Sequence, residues 1–357
     1  MLDFYRGRRV FMTGHTGFKG MWLCRMLLLA GAEVCGYALE APTAEGRALL
    51  KNSNVLSGIV DVRGDVRDRD RIISAMKDFH PEIVFHLAAQ PLVLESYRDP
   101  VTTYETNVMG TVNVLEAVRH TDSVKSFVNV TTDKVYENKE WVWGYRETEA
   151  LNGFDPYSNS KSCSELVTDS YKKSFLNESG IAVSTARAGN VIGGGDFSEN
   201  RIIPDCVRAA ISTRQIEVRN PNSVRPYQHV VEPLSAYLLI AEKQYEDIKY
   251  AGCYNVGPNQ ADCITTGELV EQFCKEWTEL NGDVVSWHCK QLNGPHEANF
   301  LKLDCAKIRN SIGWKPKMDV KRAVKMVVEW TVCYSLGNDV SRQMDKQIKE
   351  YINNGCF

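Results

Sequence analysis

The chain has no apolar run long enough to span a membrane, no cysteine pair in C-x-x-C spacing, no internal repeat and no low-complexity segment. These absences exclude a membrane-spanning helix, a zinc knuckle and a repeat architecture. An excess of one charge is also missing: 42 Lys and Arg face 45 Asp and Glu, a net charge of -3. No global positive field exists to gather nucleic acid or an anionic membrane, so any phosphate binding must be local. The eleven cysteines are odd in number, and no two lie closer in sequence than Cys253 and Cys263, which does not suit a disulfide framework. Reduced thiols fit better, with Cys24, Cys35 and Cys206 as small buried hydrophobes. Arg6, Arg8 and Arg9 are followed only by the short run Val10 to Gly14, too little for a signal peptide. The expectation is a cytoplasmic protein that binds no metal, nucleic acid or membrane.

What is present is 357 residues with 43% apolar content, enough for a large core and two lobes. Short β-branched or apolar runs alternate with helix-period segments through the first half, the mark of a parallel sheet covered on both faces. The expected strands are Arg9 to Thr13, Glu33 to Tyr37, Ile59 to Val62, Ile83 to Leu87, Phe127 to Thr131 and Val183 to Arg187. Between the first two, Trp22, Leu23, Met26, Leu27 and Ala30 recur at helical spacing, and Gly31 stands where a helix would stop. Later, Asn220-Pro221, Arg225-Pro226, Glu232-Pro233 and Gly257-Pro258 read as breaks into loops and short elements, and Thr265 to Trp277 as a separate helix. The reading is an α/β fold, a doubly wound Rossmann-type sheet over residues 1–187 to which about 230–258 return. Residues 188–229 and 259–357 would then form a smaller substrate lobe.

Directly after the first strand comes Gly14-His15-Thr16-Gly17-Phe18-Lys19-Gly20, leading into the helix. Small residues there let the backbone approach a pyrophosphate, whose charge then sits at the helix N-terminus. A tight strand-to-helix turn would use the same glycines, but their place inside a βαβ unit favours a dinucleotide. No clear ribose-binding acid ends the second strand in Gly36-Tyr37-Ala38-Leu39-Glu40, which leaves NAD and NADP both open. Tyr157 and Lys161, four apart, share a helix face. An ammonium there would favour the phenolate and suit the tyrosine to take a proton from a sugar hydroxyl as hydride leaves the same carbon.

Together, Gly14 to Gly20, His86-Leu87-Ala88-Ala89-Gln90, Asn107 within Thr106 to Thr111, the Tyr157–Lys161 pair and Arg187 to Gly193 resemble the extended short-chain dehydrogenase/reductases over nearly the whole chain. Thr131-Thr132-Asp133-Lys134-Val135-Tyr136 sits where the sugar-nucleotide 4,6-dehydratases of that family carry a hydroxyl residue, an Asp and a proton-abstracting group, with Lys134 in place of their usual Glu. Asp133 to Trp141, Asn190 to Asp196, Arg225 to Val230 and Pro295-His296-Glu297-Ala298 resemble the CDP-glucose 4,6-dehydratases. The resemblance implies catalysis by Thr132, Asp133, Lys134, Tyr157 and Lys161. It implies NAD held by Gly14, Thr16, Gly17, Phe18, Lys19, Gly20, Asp65, Val66, Leu87, Ala88, Ala89, Gln90, Asn107 and Thr131 together with Tyr157 and Lys161. A nucleotide sugar would then meet Gln90, Asn190, Arg201, Arg225, His229, His296 and Glu297, and the chain would pair as a homodimer or a dimer of dimers.

Elimination of water across carbons 5 and 6 of the sugar needs carbon 5 to be acidified by oxidation of carbon 4, then one group to take the carbon 5 proton and another to donate to the departing hydroxyl. A base role requires Lys134 in its neutral form. A 4-epimerase or reductase of the same family needs no proton shuttle to carbon 6, and a dinucleotide-binding sensor without chemistry needs none of Thr132, Tyr157 and Lys161. Nothing in the spacing dictates the nucleobase.

Overall fold

A computed structural model describes residues 2–212, 214–290 and 300–353. Six parallel strands, β1 (Arg9–Thr13), β2 (Glu33–Ala38), β3 (Val60–Arg63), β4 (Ile83–His86), β5 (Ser126–Thr132) and β6 (Ala182–Ala188), form a sheet with a seventh, Cys253–Val256, in the order Cys253–Val256, β6, β5, β4, β1, β2, β3. The order reverses between β1 and β4, which opens a crevice above the C-terminal ends of those strands. This is the doubly wound sheet expected from the alternation of runs, with each expected strand found within a residue or two of its place. The seventh strand was not among those expected. Its four residues carry no period long enough to distinguish it from a loop.

Helices cover both faces. In chain order they are α1 (Phe18–Leu29), α2 (Ala44–Asn52), α3 (Arg69–Phe79), α4 (Val93–Arg98), α5 (Pro100–Tyr104), α6 (Gly110–Arg119), α7 (Pro156–Tyr171), α8 (Ile202–Ile211), α9 (Val231–Glu246), α10 (Thr266–Asn281), α11 (Ala306–Ser311), α12 (Val320–Ser335) and α13 (Val340–Asn353). Strand alternation sorts the core. Val10 and Met12 of β1 and Val128 and Val130 of β5 join Trp22, Leu27, Leu238 and Met344 on one face, whereas Phe11 and Phe127 join Ile72, Met76, Val114 and Leu115 on the other. A third cluster, built from Ile203, Cys206, Val218, Phe273, Trp277, Val324 and Val327, packs α8, α10 and α12 around short strands after residue 188.

One proline reading is overturned. Glu232-Pro233 does not break the chain: Pro233 lies in the first turn of α9, where a missing N–H breaks no intrahelical bond. Arg225-Pro226 falls in a short element, the strand Val224–Pro226, which pairs antiparallel with Cys263–Thr265.

Candidate active site

β1 delivers the chain into a turn that only glycine accommodates at two points. Gly14 has φ +80°, and a Cβ there would lie 2.8 Å from the Ala88 nitrogen; at Gly20 it would lie 2.1 Å from the Gly14 carbonyl oxygen. Gly17 caps α1 with no side-chain acceptor, and a Cβ on it would meet nothing closer than 3.4 Å. The first N–H groups of a twelve-residue helix therefore face an open cradle, the arrangement a pyrophosphate requires. Thr13 shapes its floor: Oγ1 accepts from the N–H groups of Leu87 (3.2 Å) and Ala88 (3.1 Å). Asn107 and Gln90 clasp each other, Gln90 N–H donating to Asn107 Oδ1 (2.8 Å) and Asn107 Nδ2 to the Gln90 carbonyl (3.0 Å). Thr16 donates to the Leu39 carbonyl at 2.9 Å, while Phe18 packs toward Gly193. At the far end of the crevice the Asp65 carboxylate is engaged by Arg67, which holds its pKa below the usual range, and Val66 is a core side chain.

β5 ends in the reactive run. Thr132 donates to Asp133 Oδ1 at 2.9 Å and accepts from the Lys134 N–H at 3.4 Å, so the strand closes in a 3-10 turn over Asp133–Val135. Asp133 is 2% exposed, and its Oδ2 is buried without a protein partner. Burial raises its pKa, with Lys134, Thr132, Arg225 and Lys19 opposing. Opposite stands α7. Asp155 caps it by accepting from the Ser158 N–H (2.9 Å), and Pro156 opens the first turn, which sets Tyr157 at the mouth and Lys161 one turn deeper. Ser162 then donates to the Val135 carbonyl (2.7 Å) and fastens the helix to the turn after β5.

Tyr157, Lys19, Thr131, Thr132, Asp133 and Lys134 line one cleft of about 350 Å³ together with Asn190, Arg201 and Arg225. Lys19, Lys134, Arg201 and Arg225 share this lining with acids that include Asp133 and Asp196, the latter paired with Arg201 at 3.1 Å. Lys19 is pushed down to about 8 by burial, then by Arg201 and Lys161.

The structure departs from the sequence expectation at Tyr157. Its pKa is not lowered by Lys161 but raised to about 12, first by burial, with a hydrogen bond to Thr132 and the Arg201 charge opposing. The Lys161 ammonium instead donates to the Val130 carbonyl at 3.2 Å, and burial lowers it to about 8. The Thr131 hydroxyl likewise turns away from the cleft and donates to Glu165. His229 does not line the cleft: it is fully buried with its ring edge-on to Trp22 at 5.5 Å, and burial drives its pKa down to about 3. His296 and Glu297 lie outside the described residues. Sequence reasoning missed Thr13 and Asp196, which look like an ordinary strand residue and an ordinary loop acid until the fold closes.

Residues 11–327 match the family described as GDP-mannose 4,6 dehydratase. Over 358 aligned residues, 98% of each chain, the sequence is 44% identical to the CDP-glucose 4,6-dehydratase of Salmonella typhimurium. The chain belongs to the nucleotide-sugar 4,6-dehydratases of the extended short-chain dehydrogenase/reductase family. Among solved structures, the UDP-glucose 4-epimerase of Thermus thermophilus in complex with NAD is similar at a TM-score of 0.77, with 25% identity over 91% of this chain and 99% of that one. The dTDP-glucose 4,6-dehydratase of Bacillus anthracis, also in complex with NAD, shares the fold at a TM-score of 0.74, 22% identity and coverage of 91% and 96%. In this chain's cleft the buried Asp133 and the half-buried Lys134 stand beside Tyr157.

Proposed function

We propose that this NAD-dependent dehydratase acts on CDP-glucose and releases water and CDP-4-keto-6-deoxyglucose. The observation that carries the reading is the meeting of Tyr157 with Thr132, Asp133 and Lys134 in one cleft, with a buried Asp133 oxygen left free for a proton to the leaving group. The assignment of cytidine rests on the Salmonella relative. NAD supplies the acceptor for hydride from carbon 4 and returns it to carbon 6.

The protein's own residues do the proton work. Tyr157, oriented by its hydrogen bond with Thr132, takes the carbon 4 hydroxyl proton as the phenolate, the form that a positively charged nicotinamide bound beside it would favour against the burial that raises its pKa. Lys134, as neutral amine, takes the carbon 5 proton made acidic by the new ketone. Asp133 gives its proton to the carbon 6 hydroxyl, which leaves as water; a carboxyl whose pKa burial has raised holds that proton long enough to deliver it. The Lys134 ammonium then returns a proton to carbon 5. Arg201, Arg225 and Asn190 face the diphosphate, whose planar oxygen pairs suit guanidinium groups.

A reducing cytoplasmic setting is supported by ten described cysteines that are all free. No described helix is long and apolar enough to cross a membrane. Mass spectrometry of products from a panel of nucleotide glucoses tests the proposal. CDP-glucose should lose one water faster than its UDP and dTDP counterparts; a mass-neutral carbon 4 epimer from all of them would overturn it.

A further inference from the structure

One turn beyond Lys161 on α7, at the i+4 position, lies an acid with no place in the chemistry above. The Glu165 carboxylate is 2% exposed and fully engaged: Oε1 accepts from Thr131 Oγ1 and from Arg187 Nε (3.0 Å), and Oε2 from Thr185 Oγ1 (2.7 Å) and Arg187 Nη2 (2.9 Å). Arg187 spends its remaining donors on the Tyr136 hydroxyl (2.9 Å) and the Glu147 carbonyl (3.1 Å). A buried ion pair of this kind is tolerated only when its hydrogen bonds are satisfied, and these are.

Its location gives it consequence. Thr131 immediately precedes Thr132, and the Lys161 ammonium donates to the carbonyl of Val130. Two successive inward positions of α7 are therefore pinned to two successive residues of β5, and the next residues of both elements are the proposed reacting groups. The charges that meet the Lys161 ammonium are few. Glu165 favours its charged form, whereas burial disfavours it. Lys161 itself acts on Lys19 of the helix after the glycine turn and on His86 of β4, which burial keeps neutral. Asp133 and Lys134 of the turn after β5, Tyr157 of α7 and Arg187 of β6 are further titratable side chains on the elements packed around it, as are, farther along α7 and on its neighbouring helices, Asp169, Tyr104, Glu105 and Glu116.

We propose that Glu165 is a positioning residue for the hydride step: through Thr131 it sets the gap between Thr132 and Tyr157, and its carboxylate, one helical turn from Lys161, sets the charge balance of the sheet–helix seam. The inference deepens the dehydratase reading and rests on it only for the activity readout.

Glu165→Gln removes the charge and keeps the shape. The alkaline limb of kcat, which Lys161 places near 8, should move to lower pH by roughly one unit, while KM for the nucleotide sugar changes little. Because an unpaired Arg187 is itself destabilising, the double variant Glu165→Gln with Arg187→Gln is the companion: stability should recover in part while the displaced limb persists. Thr131→Val breaks the link without altering charge, and should lower kcat about tenfold or more with the limb in place. Heteronuclear NMR of 15N-lysine-labelled protein, with Lys161→Arg to assign the signal, follows the Lys161 titration without any substrate. A downward displacement in the Gln variant there supports the inference even if CDP-glucose proves the wrong substrate. A Lys161 titration and a pH profile unchanged in both Gln variants, with loss of stability alone, would overturn it and leave Glu165 structural.

Discussion

Asp133 shows how one side chain carries opposite demands. Burial raises its folded pKa above that of the unfolded chain, so the folded state holds the proton more tightly. Stability from this group is present at acid pH and is lost as pH rises through the folded value. Asp133→Asn removes the ionisation and keeps the shape, so the variant's melting temperature should exceed the parent's by an amount that grows as pH rises above the ordinary carboxylate range, on the order of a few degrees. Dehydration should meanwhile fall by about two to four orders of magnitude, the usual scale for loss of a general acid or base. Differential scanning fluorimetry and product mass spectrometry read the two effects. A variant both less stable at pH 8 and fully active would remove Asp133 from the acid role. Tyr157 and Lys134 divide the remaining steps. Tyr157→Phe should bind dinucleotide yet lose NADH formation on the enzyme by about two to four orders of magnitude. Lys134→Met should still form bound NADH in single-turnover mixing but stall before elimination. Dehydration slowed by less than about tenfold, roughly 1.4 kcal/mol of barrier, would exclude Lys134 as the carbon 5 base.

The element that most constrains cofactor binding is the turn from β1 into α1, and its three glycines do different work. At Gly20 a methyl group would strike the Gly14 carbonyl and the His15 backbone, whereas at Gly17 its nearest neighbour would be the Gly14 carbonyl oxygen at 3.4 Å, an ordinary contact. Gly20→Ala should therefore lower stability and distort the turn, and Gly17→Ala should leave the melting temperature of the unliganded protein nearly unchanged while weakening NAD binding. Thermal melts paired with NAD titration by calorimetry check the contrast; equal stability losses at both positions would show that the turn itself, not ligand space, selects glycine at 17. These elements were legible because each pairs a period with a stop, as when Gly31, at φ +77°, follows α1. The Tyr157–Lys161 spacing likewise placed both on one face of α7. What spacing could not carry was the setting of each group. Lys161 was expected to act on Tyr157, but the helix lies so close to β5, over buried Ser158, Ser160, Ser162 and Ser164, that its ammonium meets a strand carbonyl and desolvation governs the phenol. His229 was singled out by a motif and proved to be a core side chain, since one sequence does not say which way a residue beside a cleft faces.

On the scale of the whole molecule, α7 presents two unlike faces. Lys161 and Glu165 are buried against the sheet, while Leu166 of α7 is 56% exposed, as are Val101 (66%) and Met109 (52%) on the two helical segments that pack against α7. A set of neighbouring exposed apolar residues is what a closed interface covers, and a twofold interface brings the same surface from both subunits together. We propose that the chain pairs as a homodimer through this face. The pairing would buttress α7 from outside just where its inner face holds Tyr157 and Lys161 against β5. Because a twofold axis places every change into the contact twice, Val101→Glu combined with Leu166→Glu should introduce four carboxylates at one apolar seam and dissociate it. Sedimentation velocity at micromolar concentration should find a dimer for the parent and a monomer for the double variant. The monomer should keep its fold by circular dichroism, since neither side chain belongs to the core, but melt at lower temperature and turn over more slowly. A monomeric parent would refute the pairing, and a variant that stays dimeric would move the interface to another surface.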